Sequence, residues 1–513
     1  MRHIPVTAKY AALIVIPLIS TFAALLIREA TTPYFMFHHD PEYAYLFNGV
    51  SILHFLAPTH IDHPGTPLQL ISAFVIKLLH PLSSGREITE SVVANPERYL
   101  LAISTVLIGV NAIVLMVVGI TTYFMTDRIW IAILMQSPPL LFNATTASLS
   151  QITPEPLVLS VSLLFGCLLL LSLNVWGPAR INHEKTPKYF GLLSGFGIAV
   201  KLTFTPVLFA VPFVFHKVRQ LKPYGKYILL GFFLSTLPLL LKFPLFVQYR
   251  KIIAWAYNLF VGAGIYGHGE RTIINKAKFL SDLWQIMLAQ PLYSWVVLFA
   301  VAAIVYGFLK IKPRNAWSDP IFRLLVGLVS VHVLTLLLVG KHPQSDRYLV
   351  PAMGLAGLTM LLVFLFLREQ VGRHVSQPLG KFLAVCAGTG IVAFSVFQAN
   401  AVVTNAELQG KVRYEEFSAR DKAVTTQYPE CAQVHQDSGT QVFGVFFGLK
   451  WSRKSETTDE VIQRFFSGRK IYTYDPGRNI YYDMNENVVT VDDTHKTAPC
   501  VIKLGPSAEL KTL

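Results

Sequence analysis

The run YAALIVIPLISTFAALLI, residues Tyr10–Ile27, holds eighteen residues without a single charge. A helix needs about 20 predominantly apolar residues to cross the hydrocarbon core of a bilayer, so this run reads as a membrane span. It follows Arg2 and Lys9 and has no small-residue cleavage site, which is the pattern of a retained signal anchor. Similar runs recur at about 99–125, 129–143, 157–176, 189–200, 203–216, 228–243, 292–309, 321–339, 350–367 and 382–399, giving eleven expected spans. The run 67–79 is apolar but short and interrupted by Lys77, so it reads as a surface or re-entrant helix. Hydrophobic residues make up 53% of the chain and charged ones 14%, far from the ordinary soluble mix. The alternating segments of roughly 10 residues that build a transmembrane barrel are absent, so the spans are helical. The expected fold class is membrane all-α, a polytopic bundle occupying residues 1–399.

The net charge of +14 does not point to a nucleic-acid partner. Thirty Lys and Arg against fifteen Asp and Glu fall in residues 1–399, while the remaining 114 residues carry fourteen against fifteen. The basic excess thus belongs to the membrane part, where topology accounts for it. With the N-terminus in the cytoplasm, the inside segments are 126–128, 177–188, 216–227, 310–320 and 368–381, all short and all basic, as the positive-inside rule requires. This alternation holds if 189–216 is two short helices turning at Lys201. The outside then holds the loop 28–98, the segment 144–156, the loop 244–291, the short loop 340–349 and the tail 400–513. That tail reads as a mixed α/β domain, with strands at Gln441–Phe447 and Lys470–Tyr474 and a helix at Asp459–Phe466. Cys167 and Cys386 lie in apolar runs and read as packing residues; Cys431 and Cys500 could pair if the tail faces an oxidising compartment.

Carboxylates are scarce in the membrane part, and seven of its fifteen lie between Glu29 and Glu97. Within that loop stands His38-His39-Asp40-Pro41-Glu42, followed by Tyr43, Tyr45 and Phe47, and then by Asp62 and His63 in His60-Ile61-Asp62-His63-Pro64-Gly65-Thr66-Pro67. Such a loop offers a general base, a cation site, or both. If a cation binds, Asp40 and Glu42 are its ligands and Mg2+ or Mn2+ suits their oxygens; the nearby histidines match no familiar zinc spacing. Glu155, in Gln151-Ile152-Thr153-Pro154-Glu155-Pro156, adds another outside carboxylate. Lys201 sits at membrane depth, where a charge is costly and functional by default, with an anionic headgroup as a natural partner. The outside loop Lys341-His342-Pro343-Gln344-Ser345-Asp346-Arg347-Tyr348 is basic without a topological reason, and its Arg can hold a phosphate through paired hydrogen bonds. The glycine-rich stretch Gly262–Arg271, which includes His268, implies tight turns or a flap but is not a phosphate-binding loop.

Three of these features together resemble the GT-C superfamily of integral-membrane glycosyltransferases over about residues 10–367. They are the acidic pair Asp40 and Glu42 in the first outer loop, the Gly-rich helix Gly195–Thr203 ending in Lys-Leu-Thr, and Arg347-Tyr348 opening a late span. The topology is similar to that of protein O-mannosyltransferases and of the aminoarabinose and arabinosyl transferases. The resemblance implies a GT-C-like bundle of about eleven transmembrane helices with a C-terminal extracytoplasmic domain. It implies a sugar donor carried on a polyprenyl phosphate and an inverting transfer on the extracytoplasmic side to a glycan, lipid or protein acceptor. It also implies a first-loop Asp as general base and no obligatory cofactor. Asp40 is the first choice of base and Glu42 the second, although Asp-Pro-Glu departs from the commonest acidic pairs. Asp62, His63, Glu155, Lys201, His268, Lys341, His342, Arg347 and Tyr348 are the substrate-binding candidates, and a bacterial inner membrane is the expected location. Two rivals remain. A secondary transporter fits the span count, but no internal repeat relates the halves and the carboxylates cluster outside the bilayer. A polymerase or ligase of lipid-linked glycans would differ in taking an oligosaccharide donor.

Overall fold

The computed structural model describes residues 6–61, 64–173, 185–215, 218–241, 246–260, 276–310, 317–340, 346–371, 377–467, 470–475, 480–483, 487–490, 498–506 and 510–512. Six helices are long and apolar enough to cross a bilayer: Tyr10–Ala30, Pro96–Thr126, Pro154–Ser172, Pro291–Lys310, Pro320–Gly340 and Val385–Gln427. A pair bent by 49°, Asp346–Met353 and Ala356–Glu369, makes a seventh if counted as one span. This is an integral membrane protein, but among the described residues eleven helices of spanning length do not appear.

Proline explains much of the difference, because it lacks the N–H that a helix interior needs and pushes the residue before it out of the helical region. The expected span 129–143 breaks at Pro138-Pro139 into Ile129–Gln136, Pro138–Leu141 and Asn143–Ser148. The run 203–216 becomes the 3-10 helix Leu202–Phe213, which contains Pro206 and Pro212. Thr186–Val200 and Leu221–Ser235 are 15 residues each, about 22 Å of helix against a hydrocarbon core of about 30 Å. These two short helices pack with their backbones touching: Gly195 faces the Ile228 carbonyl so closely that a Cβ there would collide with it. The turn at Lys201 is present, and Lys201 itself is extended (φ −159°). The apolar run 67–79 forms the separate helix Thr66–Leu79, with Phe74 and Leu78 exposed.

The chain enters the tail along one helix of 51 residues, Gln377–Gln427, inside which the expected boundary at 399/400 falls. The tail sheet has strands β1 Ala432–His435, β2 Ile471–Asp475, β3 Ile480–Asp483, β4 Val488–Val489, β5 Val501–Leu504 and β6 Leu510–Thr512. Their order is β4-β3-β2-β1-β5-β6; β1 runs parallel to β2 and β5, and the other pairings are antiparallel. Ala432 pairs with Val501 in parallel register, so Cys431 and Cys500 meet one residue earlier and are bonded, with Cα atoms 4.6 Å apart. The strand expected at Lys470–Tyr474 is present as Ile471–Asp475, and the helix expected at Asp459–Phe466 is present as Glu456–Phe466.

The expected strand at Gln441–Phe447 is instead the helix Gln441–Lys450. Its aromatic and β-branched composition favours a strand, but the Thr440 side chain accepts the Phe443 N–H at 3.2 Å and caps a helix there. Gly444 and Gly448, one turn apart, lie flat on the segment that follows the first span. A Cβ at Gly444 would sit 2.9 Å from the Tyr43 ring, and one at Gly448 would sit 2.6 Å from the Tyr43 carbonyl oxygen. Only glycines let this helix approach so closely, and the approach fixes the tail on the loop that carries the acidic pair.

Candidate functional site

The segment after the first span folds into the helix His39–Leu53, whose opening is broken at Asp40 (φ −102°, ψ 118°). Pro41 accounts for the break, since it disfavours helical geometry in the residue before it. The break separates two carboxylates by environment. Asp40 is exposed, whereas Glu42 is fully buried. Arg28, in the last turn of the first helix, donates from Nη1 to both Glu42 oxygens at 2.8 Å. Its guanidinium also lies 3.3 Å from the centre of the Tyr34 ring. Glu42 accepts the Ile152 N–H at 3.1 Å as well. Burial pushes the Glu42 carboxyl up, and Arg28 and the Ile152 N–H oppose that. Glu97 braces the loop from behind, accepting the Tyr34 N–H at 2.6 Å and the Tyr43 hydroxyl at 2.7 Å.

Ile152 belongs to the segment that leads into the helix Pro154–Ser172, and Glu155 opens that helix. Glu155 forms a buried ion pair with Lys201. The Lys201 ammonium also sits 4.4 Å over the ring of Tyr348, in the 3-10 turn Asp346–Leu349. Arg347 in the same turn is exposed and lies within electrostatic reach of both Glu155 and His38. His38 is pulled down to about 3, first by burial and then by Arg28, Arg347 and Arg413, so it is neutral at pH 7. The region thus consists of two buried ion pairs, Arg28–Glu42 and Lys201–Glu155, together with an exposed carboxylate at Asp40 and an exposed guanidinium at Arg347.

Among the sequence candidates, the structure brings Asp40, Glu42, Glu155, Lys201, Arg347 and Tyr348 into this one region. Asp62, His63, His268, Lys341 and His342 lie outside the described residues, as does the stretch 261–275. Among the described residues no group of three or more His, Cys, Asp or Glu could hold a metal ion. Both Glu42 oxygens are already engaged by Arg28, so the Asp40 and Glu42 pair fits an ion pair beside an exposed carboxylate better than a two-carboxylate cation site.

Four contributors escaped the reading of the sequence. Arg28 looked like the flank of a span, and Glu97 lies 55 residues beyond Glu42 along the chain. The other two, Arg413 and Asp437, come from the tail. Asp437 Oδ1 accepts from His39 Nε2 at 2.8 Å, and Arg413 donates to the Met36 carbonyl at 2.9 Å. Further along, the Trp451 carbonyl accepts from Asn48 Nδ2 and from the Thr59 hydroxyl, both at 2.8 Å, and the Arg453 carbonyl accepts from Ser51 at 2.7 Å. The available signal was the Gly444/Gly448 spacing, which marks a close helix–helix approach.

Fold and site together define a class: an integral-membrane helix bundle in which the segment after the first span, acidic at its tip, is clasped by a small α/β domain. In structure the chain is similar to the oligosaccharyltransferase of Archaeoglobus fulgidus in its apo form, with a TM-score of 0.44, 13% identity, and coverage of 84% of this chain and 63% of that one. It is similar also to the same enzyme in complex with Zn and sulfate, with a TM-score of 0.41, 14% identity, and coverage of 82% and 60%. The chain therefore spans less than two thirds of the length of that oligosaccharyltransferase. No family model matches the sequence, and no curated protein matches it.

Proposed function

We propose that the protein is a membrane glycosyltransferase of the GT-C kind. It moves a sugar from a polyprenyl-phosphate carrier to a hydroxyl on a glycan, lipid or protein acceptor, with inversion. The observation that carries this reading is two buried ion pairs, Arg28–Glu42 and Lys201–Glu155, with a carboxylate exposed at Asp40 and a guanidinium exposed at Arg347 within electrostatic reach of Glu155 and His38. Asp40 is the general base: it takes the proton of the acceptor hydroxyl as that oxygen attacks the anomeric carbon. The bond between that carbon and the phosphate oxygen breaks, and the phosphate departs with the electron pair. Arg347 and Lys201 stabilise the charge that builds on it. A positioned base contributes roughly 10²–10⁴ in rate, and a preorganised charge partner roughly 10²–10³. Glu42 holds the loop rather than taking the proton, because Arg28 and the Ile152 N–H occupy its oxygens.

In this reading residues 1–399 carry the transfer chemistry and the N-terminus is cytoplasmic. The loop 28–98 and the domain 400–513 lie on the extracytoplasmic side of a bacterial inner membrane. The Cys431–Cys500 bond supports that side for the tail, since disulfides persist in oxidising compartments. The test is reconstitution of the purified protein in liposomes with polyprenyl-phosphate sugars and an acceptor, with covalent product followed by mass spectrometry. Accumulation of glycosylated acceptor is expected. Passage of substrate across the bilayer with no covalent product would contradict the reading and favour a transporter.

A further inference from the structure

Asp40 stands between two anchor points that different parts of the chain supply. On its C-terminal side Glu42 is locked to Arg28 and to the Ile152 N–H. On its N-terminal side the tail grips residues 36–39. Arg413 Nη1 donates to the Met36 carbonyl at 2.9 Å, and the same guanidinium lies 5.3 Å over the Phe37 ring. His39 Nε2 donates to Asp437 Oδ1 at 2.8 Å. Phe443 and Phe447 meet the His39 ring edge-on, at centroid distances of 5.2 and 5.5 Å. The other ring nitrogen, His39 Nδ1, is buried without a hydrogen-bond partner, so Asp437 is the imidazole's one polar tether among the described residues.

The turn that presents Asp437 is rigid for local reasons. It joins β1 to the helix Gln441–Lys450. Inside it, His435 Nδ1 bonds the Ser438 hydroxyl at 2.9 Å and the Thr440 hydroxyl at 3.0 Å, and those two hydroxyls bond each other at 3.0 Å. With its neighbours occupied within the turn, Asp437 faces the loop. Its φ of +51° and that of Gly439 at +54° give the turn its sharp left-handed corner. The His39 hydrogen bond, ahead of any other influence, holds the Asp437 carboxyl below its usual range.

We propose that Asp437 is a positioning residue for Asp40. Through His39 the C-terminal domain sets the direction of the neighbouring carboxylate, so the site is complete only while the tail is docked on the first outer loop. The kinetic part of this inference rests on the glycosyltransferase reading; the structural part does not.

Two variants test it. Asp437→Gly removes the side chain where the backbone already suits glycine, and Asp437→Asn keeps an oxygen acceptor in a residue that tolerates the left-handed region. The measurements are amide hydrogen exchange over residues 36–42 in the purified full-length protein and steady-state transfer kinetics. In Asp437→Gly, exchange over 36–42 rises and kcat falls by at least about tenfold while the donor KM stays within about twofold, since a misplaced base slows the chemical step without weakening donor binding. Exchange over 432–450 is unchanged, which separates lost positioning from an unfolded tail. Asp437→Asn restores most of both. Wild-type exchange over 36–42 in Asp437→Gly overturns the proposal, and so does a loss of kcat that Asp437→Asn fails to recover. If the unaltered protein makes no product from any lipid-linked sugar, the glycosyltransferase reading falls and the exchange result alone decides the positioning role.

Discussion

The two sides of the Asp40 segment are held by contacts of different kinds. Toward the membrane, Arg28 and Glu42 meet at 1% and 0% exposure, and Glu155 and Lys201 form a second pair almost as deeply buried. Toward the tail, His39 and Asp437 meet at 17% and 60% exposure, and further out Arg86–Glu460 and Arg464–Glu90 are surface pairs. A buried pair is weak evidence for net stability, because desolvation offsets most of the attraction, but removing one partner leaves an uncompensated charge. A surface pair contributes little either way. The membrane side therefore acts as a fixed frame, and the tail side as a lighter contact whose strength comes from shape, through the glycines of Gln441–Lys450.

That contrast can be broken at three places. The largest effect is expected at Arg28→Met, which strands the Glu42 carboxylate in the interior and should cost about 3–5 kcal/mol of stability, read as a lower unfolding temperature in detergent. Adding Glu42→Met should recover much of that loss; a double variant no better than the single one would show that the pair is not the frame. Next comes Gly448→Leu, whose side chain would have to enter the space of Phe47 and the Tyr43 backbone. Overpacking of this kind costs about 1–3 kcal/mol, and the expected readout is faster proteolysis of the tail with the spans intact. The smallest is Arg86→Ala, which removes an exposed pair with Glu460 and should shift stability by less than about 1 kcal/mol in the same melts. An Arg86→Ala loss equal to that of Arg28→Met would erase the distinction between the two sides.

Much of this organisation was legible in the sequence, and the failures have physical causes. Asp40 and Glu42 stood out because carboxylates are scarce in the membrane part, but the sequence did not show that the break at Pro41 gives them different surroundings. Lys201 stood out because a charge at that depth needs a partner, although the partner proved to be the carboxylate of Glu155. Arg28 was hidden because a basic residue at the end of an apolar run is ordinarily an interfacial anchor. Spans were overcounted where apolarity continued through Pro138-Pro139, Pro206 and Pro212, since hydropathy registers burial and not hydrogen bonding along the helix. In the tail, Val442, Phe443, Val445, Phe446 and Phe447 carried the composition of a strand, and one Thr440 cap with two glycines a turn apart outweighed it.

The central claim is that Asp40 takes the acceptor proton while Glu42 only holds the loop. Its most direct test is the single-turnover rate of Asp40→Asn against the unaltered protein, with identical thermal unfolding required of both. The account predicts a loss of about 10²–10⁴ in that rate, the size expected for removing a positioned base. Near-normal turnover in a correctly folded Asp40→Asn would contradict it.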